Sequence, residues 1–258
     1  MNDLFWTDTG TGHPLVLLHG GFLDHRMWDD QIPALASDHR VIAPDARGHG
    51  RSANATGPYR LTDDLAALLR HLDTGPAILV GLSMGGSIAI DTALEHPDLV
   101  SAVVISGSGT SEPYFTDPWT TQAMATWNAA MAAGDLDASV EGFMLFAAGP
   151  HRSLDAVDPE VVSRLRRMTR DTMSKHHPGE PNHLTAVRDT WERLPQINVP
   201  VLAVNGAIDS PDHLGMAERL TGLVPHGRTI SIEGTAHYPN MERPDAFNKL
   251  LGDFLRTL

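Results

Sequence analysis

Three side chains that lie far apart in the sequence could together perform nucleophilic catalysis. A serine hydroxyl is a poor nucleophile at neutral pH, so Ser83 would need a neighbouring base to remove its proton. Among the 14 histidines, His237 is the strongest candidate for that base. Asp209 could orient the imidazole by accepting a hydrogen bond from its other nitrogen. The chain order serine, aspartate, histidine is the one expected for such a group on an α/β sheet.

A structural role is the alternative for each of these residues taken singly. An aspartate after a strand is commonly a turn residue or a helix cap, and a single histidine commonly lies at the surface or in the core. Other residues also compete for the two supporting roles, namely Asp212 for the acid and His213 or His19 for the base. The chain order of the first three, each predicted at the end of a strand, favours catalysis.

The surroundings of Ser83 predict a sharp turn from a strand into a helix. A short apolar run precedes the motif Gly-x-Ser-x-Gly, and small residues with helical apolar spacing follow it. Such a turn strains the backbone of the serine, and Gly81 and Gly85 remove the side chains that would collide there. The strain would lift the Ser83 hydroxyl clear of the sheet.

Attack by a serine creates a negative oxygen, which two N–H donors would stabilise. The amide of Met84 is one candidate, because it would lie at the start of the helix, where unpaired N–H groups favour negative charge. The loop after residue 18 should supply the other, with Gly21 as first choice and Phe22 as second. His19 is expected to brace this loop without taking part in the chemistry.

Alternating strands and helices must position these residues. The alternation indicates an α/β fold with a mostly parallel central sheet flanked by helices, and ligands then bind at the carboxyl ends of the strands. We therefore assign 1–109 and 196–258 to one core domain. Besides the strand and helix around Ser83, the predicted strands are 4–8, 14–18, 40–44, 100–105, 199–204 and 229–232, and the predicted helices are 28–36, 62–72, 211–223 and 244–258.

The rhythm changes over residues 110–195, which we interpret as a helical cap inserted into the core. Strand patterns disappear there, and helices are predicted over 118–134, 136–148 and 159–173. Much of the aromatic and methionine content of the insertion should be ordinary packing, but residues that face Ser83 would form an apolar cavity. The residues predicted to contact substrate are Phe22, Trp127, Phe143 and Tyr238.

Other motifs are predicted to be structural. The glycine-rich loop 45–52 lacks the Lys-Ser/Thr ending of a P-loop. His176, His177 and His183 lie close in sequence, but prolines and a glycine make their segment a loop without a carboxylate at metal-site spacing, so no metal is expected. Three arginines of the insertion could bind a substrate carboxylate or face water, and water is favoured for Arg152, Arg164 and Arg167.

Composition narrows the class of protein. The 258 residues suffice for one large α/β domain with an insertion, and 41% of them are hydrophobic. The net charge of -13 argues against nucleic-acid binding, because no basic stripe is present. There is no cysteine, which excludes disulfides and a cysteine nucleophile. No apolar run is long enough to span a membrane, and residues 1–6 do not resemble a secretory signal. We therefore expect a cytoplasmic protein with a small-molecule substrate.

These motifs together resemble the α/β-hydrolase fold superfamily. The resemblance covers 4–109 and 196–258 and rests on His19-Gly20, the Asp45-x-Arg47-Gly48-x-Gly50-x-Ser52 loop, Gly81-x-Ser83-x-Gly85, Gly206-x-x-Asp209 and His237. Within the superfamily, Asp24-His25-Arg26-Met27-Trp28, Gln31-Ile32-Pro33, Ser83-Met84-Gly85-Gly86 and the residues after His237 are similar to the 3-oxoadipate enol-lactonase-like group. A serine at position 83 excludes the dehalogenases and epoxide hydrolases of this fold, which have aspartate there.

The resemblance implies hydrolysis of a carboxylic ester or lactone through an acyl-enzyme, without a cofactor. The insertion departs from a true enol-lactonase, so the substrate itself does not carry over. The alternatives are an acyltransferase or cyclase with the same acyl-enzyme, a carbon–carbon bond hydrolase, with which Tyr238 is compatible, and a ligand-binding protein on the same scaffold. Perhydrolase activity is a further side reaction that the Ser-Met-Gly-Gly sequence leaves open.

Overall fold

Seven strands form one sheet in the computed structural model, which describes residues 3–258. Their order across the sheet is β1-β3-β2-β4-β5-β6-β7. β1 pairs with β3 antiparallel, and all the other neighbouring pairs are parallel. The predicted mostly parallel sheet is thereby confirmed. The strands are β1 Trp6–Thr9, β2 His13–Leu18, β3 His39–Pro44, β4 Ala77–Leu82, β5 Val100–Ser106, β6 Val201–Gly206 and β7 Gly227–Ile232.

The connections between the strands are mostly helical. The bounds of these helices agree with the predictions within a few residues, except at the first helix. The predicted helix 28–36 is wrong, because two short pieces, the 3₁₀ turn His25–Trp28 and α1, replace it. The α-helices are α1 Ile32–Leu35, α2 Leu61–His71, α3 Met84–Glu95, α4 Pro118–Ala133, α5 Leu136–Ala148, α6 Pro159–Met173, α7 Thr190–Arg193, α8 Pro211–Leu223, α9 Pro239–Glu242 and α10 Pro244–Leu255.

The sheet is buried on both faces, as expected for parallel strands. Successive residues of β2 alternate between two apolar clusters: Leu15 and Leu17 pack on one face, and Val16 and Leu18 on the other. Helices α5, α6 and α10 contribute to the first cluster, whereas α2, α3 and α8 contribute to the second. This packing fixes the strands and therefore the loops at their carboxyl ends. In residues 3–258 no helix has both the length and the apolar character that a membrane crossing requires.

Residues 110–195 connect β5 to β6. This stretch contains α4 to α7, and within it the structure describes no strand, only a single bridge between Tyr59 and Leu184. Side chains of the stretch are tied to the core by ion pairs, including Arg164 with Asp30 at 2.7 Å. We keep the name insertion for residues 110–195.

Candidate active site

Ser83 lies at the turn between β4 and α3, with backbone angles of φ 53° and ψ -117°. This left-handed conformation is costly for a residue with a side chain, so the surroundings must impose it. The Ser83 amide donates to the carbonyl of Ser106 at 2.8 Å, which fixes the turn to β5. A Cβ at Gly81 would lie 2.1 Å from the carbonyl oxygen of Gly85, so only glycine allows the helix to start this close to the strand.

His237 and Asp209 form a hydrogen bond in the loops after β7 and β6. The Nδ1 of His237 lies 2.8 Å from Oδ2 of Asp209, and both side chains are buried. Because Nδ1–H donates to the carboxylate, Nε2 is left as the acceptor that a base requires. Burial lowers the pKa of His237, against the attraction of Asp209, so the imidazole stays neutral at neutral pH. Burial alone would raise the pKa of Asp209, but the neighbouring histidines hold it well below its usual range.

A second histidine shares this carboxylate. The Nδ1 of His213, on the first turn of α8, lies 3.2 Å from Oδ1 of Asp209 and 2.9 Å from the hydroxyl of Ser210. Its ring stacks on that of His237, with centroids 4.3 Å apart and an interplanar angle of 27°. His213 therefore contacts the same carboxylate as His237, and His237 stays the predicted base. Asp212, the alternative acid, instead accepts hydrogen bonds from Thr116 and Asp117.

The ends of β5 and β6 make room for the histidine. Gly107 follows β5 with a φ of 56°, and a Cβ there would lie 2.7 Å from Nδ1 of His237. Its amide donates to Oδ1 of the buried Asn205 at 3.0 Å, which joins the ends of the two strands. The sequence around Gly107 does not indicate this contact, because only the tertiary structure brings the imidazole of His237 close to it.

The loop after β2 lies against the start of α3. A Cβ at Gly21 would be 3.9 Å from Cβ of Met84, so the two predicted oxyanion donors belong to adjacent backbone segments. Within residues 3–258, neither the Gly21 nor the Phe22 amide donates a hydrogen bond. His19 braces the loop: its Nδ1 bonds the Gly20 carbonyl at 2.8 Å, and its Nε2 accepts from the Ala46 amide at 2.9 Å. Burial lowers the pKa of His19, consistent with a neutral ring in this role.

A cavity of about 300 Å³ lies beside Ser83. One wall is α3, another is the loop after β5, and the insertion closes it with side chains that include Phe115, Leu184 and Val187. His213 also lines the cavity, so the shared carboxylate lies directly behind its wall. An apolar chain attached to a group at Ser83 could occupy this space.

The four aromatic residues predicted to contact substrate are not among the described residues that line this cavity. Phe22, Trp127 and Phe143 pack on one another, with ring centroids 5.2, 5.6 and 5.8 Å apart. Tyr238 is only 1% exposed and belongs to the core, which raises the pKa of its hydroxyl. The assignment of Tyr238 to a substrate pocket is therefore corrected, because the turn after His237 directs its ring inward.

The remaining motifs have structural partners. In the glycine-rich loop, Asp45 accepts from the amides of His25 and Arg51 at 2.8 Å each, so the loop is held from within. His176 bonds Glu180 at 2.9 Å and the Gly48 carbonyl at 2.9 Å.

The favoured solvent role of two arginines is wrong. Arg152 pairs with Glu242 at 2.6 Å, and Arg164 pairs with Asp30 at 2.7 Å, because each reaches from the insertion to the core. Arg167 is exposed, as expected.

Two groups of side chains are close enough together to bind a metal ion. One is Asp209 with His213 and His237, and the other is Asp24 with His25 and Asp45. In both groups hydrogen bonds already occupy the nitrogen and oxygen atoms that would bind the ion, as between His25 Nδ1 and Asp45 Oδ1 at 2.7 Å. These hydrogen bonds alone account for the close approach of the side chains.

The site combines a strained serine at a strand-to-helix turn with a histidine–aspartate pair in the loops after two other strands of the same sheet. This combination is typical of α/β folds with a nucleophile elbow. The sequence profile of the alpha/beta hydrolase fold matches residues 13–244. The chain belongs to the α/β-hydrolase family, which confirms the resemblance seen in its sequence.

Relatives extend over nearly the whole chain. It is 28% identical to the pimeloyl-[acyl-carrier protein] methyl ester esterase of Vibrio atlanticus, over 97% of each protein. A thermophilic esterase from Thermogutta terrifontis has a similar structure, with a TM-score of 0.78, 27% identity, and coverage of 98% of this chain and 93% of that one. The enol-lactonase of Burkholderia xenovorans is also similar, with a TM-score of 0.76, 25% identity, and coverage of 98% and 96%.

Proposed function

We propose that this protein is a serine hydrolase that cleaves a carboxylic ester or lactone of a small, largely apolar substrate through an acyl-enzyme. The observation that carries the proposal is the strained Ser83 at the head of α3, together with the buried hydrogen bond of 2.8 Å between His237 and Asp209. Relatives named as esterases and an enol-lactonase support ester hydrolysis as the activity. The cavity beside Ser83 supports a small substrate with an apolar chain.

In the proposed mechanism, His237 Nε2 takes the Ser83 proton while Oγ forms a bond to the carbonyl carbon. The amides of Met84 and Gly21 stabilise the resulting oxyanion, and one such donor typically contributes about 3 kcal/mol. His237 then returns the proton to the leaving alcohol as the carbon–oxygen bond breaks. Water next gives a proton to His237 and its hydroxyl to the acyl carbon. The bond from that carbon to Oγ of Ser83 then breaks, Oγ takes the proton back from His237, and the acid is released. Asp209 fixes the tautomer of His237 throughout.

The proposed reaction uses no cofactor, and the rest of the chain positions the reacting residues. We assign residues 1–109 and 196–258 to the catalytic core and residues 110–195 to a cap that shapes the substrate cavity. A cytoplasmic location remains a prediction from the sequence.

The test is the Ser83→Ala variant with a short p-nitrophenyl ester as substrate. We expect kcat to fall by a factor of roughly 10⁴ or more, because the acyl-enzyme cannot form. Ser101→Ala is the matched control, since Ser101 lies at the start of β5, at the opposite end of the strand from Gly107. That control should keep its turnover, and both variants should melt at the wild-type temperature. Near-wild-type turnover by Ser83→Ala would refute the role of Ser83.

A competing alcohol or amine separates hydrolysis from acyl transfer. A hydrolase gives the free acid as its main product, whereas an acyltransferase gives the new ester or amide. Mass spectrometry of the products therefore decides what resolves the acyl-enzyme.

A further inference from the structure

The face of α3 that follows Ser83 carries a row of polar side chains into the cavity. Ser83, Ser87 and Asp91 all line it, and their spacing of four residues places them on one face of the helix. A rise of 1.5 Å per residue puts Asp91 about 12 Å along the helix from Ser83. The cavity therefore has a nucleophile near one end and a carboxylate further along the same wall.

Asp91 is an unusual residue to find in such a wall. Its side chain is only 2% exposed, and in the part of the chain that the structure describes its Oδ1 has no hydrogen-bond partner. Arg60 feels the charge of Asp91 only from a distance, because it forms its ion pair with Glu95, as Arg193 also does. A buried carboxylate without a cation is costly, so its retention calls for a partner.

The surroundings favour a partner that donates hydrogen bonds and carries positive charge. Thr62 and Ser108 line the same cavity, and their buried hydroxyls lack partners among residues 3–258. Glu95 and Glu112 add negative charge around Asp91. Burial raises the pKa of Asp91 to about 6, although hydrogen bonding from Ser111 opposes the shift, so the carboxyl is mostly ionised at neutral pH. Apart from Asp91, the only titratable side chain of the described cavity wall is His213.

We infer that Asp91 is a specificity-determining residue that binds a primary ammonium group at the far end of the substrate's chain. This inference rests on the proposed ester hydrolysis at Ser83. An ammonium group has three N–H donors, enough for the Asp91 carboxylate and for a hydroxyl such as that of Thr62. The apolar wall between, which includes Ile88 and Leu61, would hold the methylene groups.

The length of the substrate follows from the helix. Of the 12 Å span, about 4 Å is taken by the bond to Ser83 and by the hydrogen bond to Asp91. The remaining 8 Å or so corresponds to roughly six or seven extended single bonds, since an extended chain advances about 3.5 Å for every three bonds. Esters of ω-amino acids with about six carbons, or of amino alcohols of that length, fit this span.

The experiment compares three methyl esters of equal length that end in ammonium, methyl or carboxylate. Wild type should hydrolyse the ammonium ester with a kcat/KM about 100-fold above that of the carboxylate ester. In Asp91→Asn the ratio of the ammonium ester to the methyl-terminated ester should fall about tenfold or more, because a charged hydrogen bond is lost. A second series of acetate esters places the ammonium on the alcohol and tests the other orientation of the substrate.

Asp98→Asn is the control, because it also removes one negative charge, here from an exposed aspartate just beyond the end of α3. It should leave the ratio unchanged. A purely structural Asp91 would lower the turnover of all the esters by the same factor, and that result in both series would overturn the inference. The melting temperature gives a further readout. Asp91→Asn should raise the melting temperature at pH 8 more than at pH 5, because the wild-type carboxyl is fully ionised at pH 8 and its burial is then most costly. The charged neighbours Glu95, Glu112 and Arg60 are the same in both proteins.

Failure of the inference can be told apart from failure of the proposed function. If wild type hydrolyses the methyl-terminated ester and Ser83→Ala does not, the function stands whatever Asp91 does. If no ester is hydrolysed, calorimetry with hexylammonium and hexanol still tests the cavity. Binding of hexylammonium at least tenfold tighter than hexanol, lost in Asp91→Asn, supports the ammonium site alone, and equal binding overturns it.

Discussion

At the scale of single residues, the unusual feature of the site is that one carboxylate serves two stacked imidazoles. Asp209 uses one oxygen for His237 and the other for His213, and Ser210 donates its amide to the same oxygen as His213 at 2.7 Å. Three donors around one buried carboxylate keep it ionised, as required for orienting the base. His213 also contributes to the low pKa of His237, after burial itself. The second histidine should therefore tune the base without replacing it.

The pH profile tests this arrangement. In the proposed mechanism the neutral form of His237 is the active one, and its pKa is lowered, so the acid limb of kcat/KM should have its midpoint below pH 6.5. His213→Phe keeps the stacked ring but removes its nitrogens and with them the effect that lowers the pKa of His237, so the midpoint should move to higher pH. Turnover at pH 8 should fall only about fivefold, the cost of one lost hydrogen bond. A complete loss of activity would instead make His213 the base, and an unmoved midpoint would deny the coupling.

At the scale of elements, the pattern of apolar spacing predicts most of the bounds. α5, α6 and α8 agree residue for residue with their predictions, since each follows a capping residue whose side chain accepts a hydrogen bond from the first turn. The helix predicted over 28–36 fails, because proline at position 33 can start a helix but cannot continue one from the preceding turn. The sequence does not predict that Asp91 lines the cavity. A polar residue on a helix has the same sequence pattern whether it faces water or a cavity.

The end of β5 offers a test in which two glycines are compared. Gly107→Ala places a methyl group 2.7 Å from the imidazole of His237 and also strains a φ of 56°. We expect a loss of at least about 100-fold in kcat, together with a destabilisation of about 1–3 kcal/mol. Gly75→Ala is the control, because its φ is 66° but nothing lies within 4 Å of the added atom.

The control should lose a similar amount of stability and keep its activity. Denaturant unfolding and steady-state kinetics measure the two effects separately. Equal activity in both variants would mean that the imidazole does not depend on the close approach of this backbone.

At the scale of the whole molecule, the sequence predicts the fold and the order of the candidate catalytic residues, but not how the insertion is attached. Motifs around Ser83, Asp209 and His237 are local and lie at strand ends, so their positions follow from topology. The partner of Arg152, by contrast, is 90 residues away in the chain, and only the folded structure brings the two together. The aromatic residues predicted for the cavity fail for the same reason, since their neighbours are set by helix packing.

Arg152 links the insertion to the loop that carries His237. Its guanidinium donates to the Ala147 and Ala148 carbonyls at the end of α5, to the Gly234 carbonyl and to the buried Glu242. Glu242 in turn accepts from the Ala236 amide at 2.9 Å, next to His237. The insertion and the loop of the proposed base are therefore joined by one partly buried ion pair.

Removing this arginine should affect both stability and activity. Arg152→Met leaves Glu242 buried and unpaired, which should destabilise the protein by about 3 kcal/mol and lower Tm by roughly 6–12 °C. We also expect kcat to fall about tenfold, because the loop before His237 loses its anchor. Adding Glu242→Gln should restore part of the stability, since the unpaired charge is then absent. Arg166→Met is the control, because its pair with Glu141 is exposed and should contribute less than about 1 kcal/mol. If both arginine variants melt alike and remain fully active, the buried pair does not couple the insertion to the base.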